Sequence, residues 1–466
     1  MKELKMKFIS QFADIATQSN LLTDGECQCT YQDIPSIFAK LKNHFKNIRT
    51  EDCLAFECDN SVSSALTILY LLEESYSFLL LPKALKKQTI PKFCRYLLKI
   101  ENTSKELDPE QFLSIFANEN YNKLKNNGQK LYLRTSGSTG TPKMAVHSHS
   151  KLRENALNCV SRLELTNDDR IAIPVPLFHM YGLGAAFLPS IAAGASIDLQ
   201  KGANLLRYLQ REKEFKPNVI FMTPIFCETL LQGLRSPRTY RLTVTAGDRF
   251  RGATFTKYEA LCGNLVQLYG STEMGAIASG HPSIPSTIRS QTVGKPMQNV
   301  QMRIEPNGTE DFGELWCSHQ SGFVGYVDDN GNQISLGQEY KAGWFRTKDF
   351  GRVWQDGYIE VLGRCDHSVN RDGLLVFFAD VEKAIETVKG IDSAVVISKG
   401  ESQRGKNLIA YCVPSKYIKI TEKDIKTACF ELLSKHAIPD QIILIDSLPL
   451  LANGKVDRQK LINLDN

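Results

Sequence analysis

Residues able to do chemistry are densest at Thr135-Ser136-Gly137-Ser138-Thr139-Gly140-Thr141-Pro142-Lys143, directly after the apolar run Leu131–Arg134. Glycines let a backbone turn and aim its N–H groups inward. Ser and Thr hydroxyls add donors, and the lysine adds positive charge. That mixture suits a polyphosphate. It is not a Walker A loop, because Pro142 precedes the lysine and Met144 follows it where Ser or Thr is needed. Taken by itself, the segment also fits an ordinary Gly/Ser-rich surface loop.

Further segments of unusual composition follow in order. They are Pro176-Leu177-Phe178-His179-Met180-Tyr181-Gly182, Tyr269-Gly270-Ser271-Thr272-Glu273-Met274-Gly275, Gly343-Trp344-Phe345-Arg346-Thr347-Lys348-Asp349-Phe350-Gly351, Gly363-Arg364-Cys365-Asp366 and Asn453-Gly454-Lys455-Val456-Asp457-Arg458. Together with the Thr135–Lys143 loop, they resemble the ordered signatures of the adenylate-forming superfamily. That superfamily holds acyl- and aryl-CoA synthetases, peptide-synthetase adenylation domains and luciferase. Thr30-Tyr31 and Val293-Gly294-Lys295-Pro296 fit weaker landmarks, so the resemblance runs over nearly the whole chain.

The resemblance implies a reaction in two halves. A carboxylate attacks the α-phosphate of ATP, pyrophosphate leaves, and an acyl-adenylate forms. A thiol, from CoA or a carrier-protein phosphopantetheine, then takes the acyl group. Such chemistry is mostly positioning and charge management. By the resemblance, the Ser136–Lys143 loop holds the β- and γ-phosphates and Thr272 donates to the α-phosphate. Glu273 holds Mg²⁺, for which a carboxylate is a suitable hard ligand. Tyr269, with Gly270 and Ser271, and the turn Ala246-Gly247-Asp248 face the adenine. Asp349 takes the ribose hydroxyls, Arg364 bonds ribose or phosphate, and Tyr358 stands near the nucleotide. Phe178, His179, Met180 and Gly275 line the acid side. Lys455 places charge between carboxylate and α-phosphate, and Asp366 is the hinge. Each also has a plain reading. Asp349 would be a solvated loop residue, Lys455 a surface lysine after an Asn-Gly turn, Tyr269 a core aromatic and His179 a satisfied core histidine.

Departures from the family pattern narrow the substrate. Members that activate amino acids carry an Asp after the aromatic of the acid-side motif. Met180 stands there and cannot neutralise an ammonium, which favours an aliphatic or aromatic acid lacking an α-amino group. Lys143-Met144 replaces the commoner Lys-Gly, and Asn370-Arg371 replaces Val-Lys. The second change leaves CoA and carrier protein both open as acceptors. An inactive nucleotide-binding or scaffold protein is the reading of another class. It is disfavoured by the joint presence of Glu273, Asp349 and Lys455.

Alternating strands and helices must position these residues. Apolar positions Ile34, Ile37, Phe38, Leu41, Phe45 and Ile48 fall on one helical face. Strands are predicted at Cys53–Phe56, Phe78–Leu81, Leu131–Arg134, Ile171–Val175, Ser196–Leu199, Asn218–Met222, Leu242–Thr245 and Leu265–Tyr269, with helices at Leu205–Phe215 and Ile225–Leu234. This is an α/β pattern, with parallel sheets flanked by helices and ligands at the carboxyl ends of strands. After Gln291, closely spaced turns at Asn307-Gly308, Asn330-Gly331 and Asp356-Gly357 predict a β-barrel-like antiparallel segment. A large N-terminal domain over 1–365 and a small mobile α+β domain over 366–466 are expected. In the latter, helices are predicted at Ala379–Val388 and Glu422–His436 and strands at Ala394–Ile397 and Leu408–Cys412.

The composition agrees with a globular chain: 466 residues, 42% hydrophobic, 56 Lys+Arg against 51 Asp+Glu. The resulting charge of +5 is too weak to point to nucleic acid. The 12 cysteines lack CxxC spacing, as in a reduced cytoplasmic protein. The uncharged stretch from Ile171 to Ile197 is broken by prolines and glycines. It predicts a buried strand, loop and helix, and no membrane span.

Overall fold

The computed structural model describes residues 19–83, 89–101, 107–122, 128–135, 143–248, 250, 252–306, 312–365, 368–371, 374–402, 405–415, 418–451 and 456–463. At 253, 306, 368, 370, 374, 375, 377, 401, 402 and 405 it describes the backbone alone. The chain forms two compact units. One comprises Met1–Gln301 with Cys317–Phe345, the other Met302–Trp316 with Arg346–Asn466. This division runs through the segment with the closely spaced turns, upstream of the 365/366 boundary expected from sequence.

The first unit contains two large sheets. In the nine-stranded sheet, Gly263–Ser271, Tyr240–Ala246, Val219–Met222, Arg170–Ala172, Ser196–Asp198 and Leu21–Thr23 run parallel in that order. Antiparallel strands Gly275–Ser279, Lys295–Pro296 and Gln28–Thr30 complete its edges. The eight-stranded sheet has parallel strands Lys130–Thr135, Ser77–Pro82, Cys53–Cys58 and Cys94–Ile100. Strands Lys143–Ser148, Gly325–Val327, Gln333–Ile334 and Leu113–Ala117 are added antiparallel. Two strands from the segment predicted to be barrel-like, Gly325–Val327 and Gln333–Ile334, therefore belong to this sheet.

Local sequence explains the elements around the site. Helix Val62–Glu73 is buried from Val62 to Leu72, as a helix apolar on every face must be. Ser61 caps it by accepting from the Ser64 N–H. The uncharged stretch forms the end of the strand Arg170–Ala172, a loop, a π-helix Tyr181–Phe187 and a helix Leu188–Ala192. No helix among the described residues is long and apolar enough to cross a membrane. The 12 cysteines form no disulfide, and all except Cys365 are buried. Burial pushes the thiols of Cys29, Cys159 and Cys412 up to about 12.

The second unit carries a five-stranded sheet in which Trp344–Val353 and Ile359–Arg364 pair antiparallel. Its other sheet is built around the long antiparallel pair Ile391–Ser402 and Gly405–Pro414, with Gln441–Leu444 parallel to the latter. Alternation in that pair makes two cores. Ala394, Val396, Leu408, Ala410 and Cys412 face helices Phe378–Glu386 and Glu422–Leu432, while Val395, Ile397, Ile409 and Tyr411 pack with Leu461. The second helix ends at Leu432 because Leu433 is extended, and a 3₁₀ turn, Lys435–Ala437, follows. The helix predicted to His436 thus runs four residues too far. Arg371 is fully buried and donates to the Ile438 carbonyl at 3.0 Å and to Asp440 at 2.7 Å.

Candidate active site

In the first unit, parallel register sets Ala246 beside Leu268. The turn Gly247-Asp248 and the end of Gly263–Ser271 therefore share the carboxyl edge of the sheet, where the sequence placed the adenine face. Gly247 takes φ +98°. Tyr269 is half-buried, and Gly270 is exposed. From Ser271 the chain reverses through Thr272-Glu273-Met274 into the strand Gly275–Ser279. Glycine is required on both sides of this turn. A Cβ on Gly270 would sit 2.2 Å from the Gly275 carbonyl oxygen. Gly275 has φ +66°, and a Cβ there would meet Asn155 Oδ1 at 2.6 Å.

Backbone acceptors on the turn and on the strand after it are held by two histidines, of which His147 is buried and His319 half-buried. His147 Nε2 donates to the Thr272 carbonyl at 2.7 Å, and His319 Nε2 to the Ala276 carbonyl at 3.2 Å. Burial lowers both imidazoles to about 4, so each is neutral at pH 7 with its proton on the donating nitrogen. The Glu273 carbonyl accepts the Phe323 N–H at 2.7 Å. Its carboxylate Oε1 accepts from the Tyr326 hydroxyl at 2.7 Å. Burial, and then the Glu273 charge, push the Tyr326 hydroxyl well above the usual phenol range, so it stays a donor.

Lys143 and Thr135 are register partners at the loop end of the hairpin formed by Lys130–Thr135 and Lys143–Ser148. The Lys143 ammonium lies 3.8 Å from the centre of the Tyr326 ring and 3.5 Å from Glu339. The rest of the predicted phosphate loop, Ser136, Gly137, Ser138, Thr139 and Gly140, lies outside the described residues, as do Asp366 and Lys455. Lys143, Glu273 and Thr272 are nonetheless brought into one neighbourhood through Tyr326 and the turn.

The acid-side motif is fixed by Asn60. Its amide donates to the carbonyls of Ile173, Val175 and Leu199, and its oxygen accepts the Leu177 N–H at 3.0 Å. Tyr181 donates its hydroxyl toward the carbonyls of Met222 and Val244, at the carboxyl ends of two sheet strands. Gly182 packs so closely that a Cβ would lie 2.1 Å from the Pro176 oxygen. Phe178 and His179 are half-buried, with ring centres 4.5 Å apart. Met180 is buried, and its sulfur fills the space a Gly184 side chain would need. Asn155 joins this motif to the Thr272–Gly275 turn by donating to the Gly184 carbonyl at 2.7 Å and accepting the Ala276 N–H at 2.9 Å.

In the second unit, Asp349 and Arg364 are register partners on adjacent strands. Arg364 Nη1 lies 3.2 Å from Asp349 Oδ1 and also donates to the Thr347 carbonyl at 3.1 Å. Lys348 takes φ +62°, and its carbonyl accepts the Cys365 N–H. Tyr358 is buried just ahead of the strand Ile359–Arg364, and its carbonyl accepts the Trp354 N–H. Leu450 bridges Val456, and Arg458 pairs with Glu382 at 2.8 Å, which anchors the chain on either side of the segment containing Lys455.

Comparison with known proteins decides the family. Residues 67–327 match the AMP-binding enzyme family, and residues 380–455 match the AMP-binding enzyme C-terminal domain. This chain belongs to the AMP-binding enzyme family. Among curated relatives, it is 26% identical to oxalate–CoA ligase of Arabidopsis thaliana over 71% of this chain and 66% of that protein. It is 26% identical to bacitracin synthase 3 of Bacillus licheniformis over 84% of this chain and 6% of that one. The chain thus spans just under two thirds of the first relative's length and a small fraction of the second's. ATP-bound MatB from Rhodopseudomonas palustris shares its fold, with a TM-score of 0.83 at 21% identity over 98% of both chains.

For an AMP-binding enzyme, the donor set suits a metal carried by a nucleotide. Among the described residues no group of three or more His, Cys, Asp or Glu could cage an ion. Glu273 offers one carboxylate, which fits Mg²⁺ held between a single protein ligand and substrate phosphates. Tyr326, Glu339, His147, Asn60 and Asn155 were not found from sequence. Tyr326 stands in an apolar run and Glu339 in a polar turn. Their partners Glu273 and Lys143 are 53 and 196 residues away, so no spacing could have announced them.

Proposed function

We propose that the protein is an AMP-forming acid–thiol ligase: it activates a carboxylic acid lacking an α-amino group as its acyl-adenylate and passes the acyl group to CoA. The observation that carries this reading is the convergence of Lys143, Thr272 and Glu273 around one turn at the carboxyl edge of the sheet. Lys143 and the 136–142 loop neutralise the outer phosphates, and Thr272 donates to the α-phosphate. Glu273 is the ligand that would hold Mg²⁺, which draws charge from the leaving pyrophosphate when bound. Tyr269 and the Gly247-Asp248 turn take the adenine. Asp349, aligned by Arg364, accepts from the ribose hydroxyls, and Tyr358 stands near the nucleotide. Phe178, His179, Met180 and Gly275 shape the acid side, and Lys455 meets the charge that develops at the reacting carboxylate. Unpaired thiols suit a reducing compartment such as the cytoplasm.

The test is a carboxylate panel read by ATP–pyrophosphate exchange, followed by thioester formation with and without CoA. Expected products are AMP and pyrophosphate; ADP and phosphate would sink the mechanism. Thioester on a phosphopantetheinyl carrier protein, but not on CoA, would move the acceptor to a carrier. Glu273→Gln should raise the Mg²⁺ requirement with the fold intact, since an amide keeps the shape and loses the charge.

A further inference from the structure

We propose that Tyr326 is a positioning residue that seats the metal-side carboxylate Glu273 and the phosphate-side cation Lys143 on one rigid ring. The inference rests on the adenylate-forming reading of this site.

Tyr326 is 3% exposed and lies on the strand Gly325–Val327, where it is the register partner of Ala145. Its ring stands edge-on to Phe323 at 4.9 Å, and Phe323 packs on Phe345 at 5.4 Å. The Phe323 N–H in turn donates to the Glu273 carbonyl. The ring is thus wedged in one orientation by the segment that also grips the turn. Its edge carries the hydroxyl to Glu273 Oε1 at 2.7 Å, and its face receives the Lys143 ammonium at 3.8 Å.

A lysine and a glutamate that must both address a triphosphate are prone to neutralise each other. An aromatic ring between them answers this. Its face attracts the cation weakly enough to yield it to phosphate, while its hydroxyl orients the carboxylate through a charge-assisted hydrogen bond. Consistent with this separation, Lys143 ion-pairs with Glu339.

The two contacts use different parts of one side chain, so two substitutions separate them. Tyr326→Phe removes the hydroxyl and keeps the face; Tyr326→Leu removes both. With the full chain, nucleotide affinity is measured by calorimetry using α,β-methylene-ATP in EDTA. Metal affinity is measured by the loss of the free Mn²⁺ spin-resonance signal at saturating analogue. Tyr326→Phe should weaken Mn²⁺ binding about tenfold, the loss of one hydrogen bond to a charged group, and leave affinity in EDTA within about twofold. Tyr326→Leu should in addition weaken binding in EDTA severalfold. Added to Glu273→Gln, Tyr326→Phe should cost nothing further in Mn²⁺ affinity. Unchanged Mn²⁺ affinity in Tyr326→Phe, equal losses in both measurements, or additivity with Glu273→Gln would each overturn the proposal. If Tyr326→Leu does not fold, Tyr326→Phe and the double variant decide alone. A wild-type protein that binds no nucleotide would remove the adenylate-forming reading itself. Normal wild-type binding with an indifferent Tyr326→Phe would remove only the role of Tyr326.

Discussion

We propose that Met180 sets the substrate class. It is buried, and its sulfur occupies the volume left by Gly184. An ammonium brought there would lose its hydration and gain no counter-ion, at a cost of several kcal/mol. α-Amino acids are therefore expected to support pyrophosphate exchange at least a hundredfold more weakly than their deaminated analogues, on the order of 3 kcal/mol. Equal exchange rates for phenylalanine and 3-phenylpropionate would refute this. Residue identity at Met180 was readable because it stands in a recognisable string. The residues that hold such strings in place were not. Asn60 follows a strand of the eight-stranded sheet and satisfies four backbone groups at the edge of the nine-stranded one, yet Asp59-Asn60-Ser61 looks like any polar turn before a helix.

At the scale of elements, the turn between Gly263–Ser271 and Gly275–Ser279 combines backbone strain with close packing. Gly275→Ala forces a left-handed residue and drives its methyl into Asn155. Gly357 also has a positive φ, +84°, with nothing near its absent side chain. Gly357→Ala is expected to lose about 1–2 kcal/mol for the backbone alone. Gly275→Ala should lose measurably more in denaturant unfolding and also most exchange activity, because Thr272 and Glu273 shift with the turn. Equal losses of stability would mean that the Asn155 contact carries no weight. Elements were legible where a single period governed. The amphipathic helix Leu205–Phe215 matches its expected bounds residue for residue. The strand Cys94–Ile100 was not identified. Arg95, Tyr96 and Lys99 interrupt its apolar pattern, being partly exposed. Sheet membership was harder still. Gly325–Val327 joins the eight-stranded sheet by pairing with Lys143–Ser148, a long-range choice that local turn signals do not encode.

Across the whole molecule, burial sets the response to acid. His147, His149 and His319 are each lowered from about 6.5 to about 4, with burial the main cause. Below pH 6.5 the unfolded chain binds these protons first. Stability should therefore be intact at pH 7.5 and fall as pH drops through the window from 6.5 toward 4. Each group contributes at most about 1.4 kcal/mol per pH unit. Urea unfolding at pH 7.5 and 5.5, above the usual carboxylate range, measures the slope; a flat profile would contradict neutral burial. The C-terminal lysine belongs to the same scale. We propose that residues 366–466 swing about Asp366 between the two half-reactions, so Lys455→Ala should depress adenylate formation by about a hundredfold or more. Thioester formation from supplied acyl-adenylate should be nearly unchanged, and equal slowing of both steps would argue against the swing. The cysteines offer an independent view of such opening. A thiol that is both shielded and protonated reacts with an alkylating reagent only when its surroundings come apart. Cys58 and Cys94 sit in the eight-stranded sheet, Cys227 and Cys262 beneath the nine-stranded one, and Cys412 and Cys429 in the C-terminal core. The wild-type chain thus carries its own set of clocks. A mass-spectrometric alkylation time course would rank the local opening free energies of these regions without a single substitution.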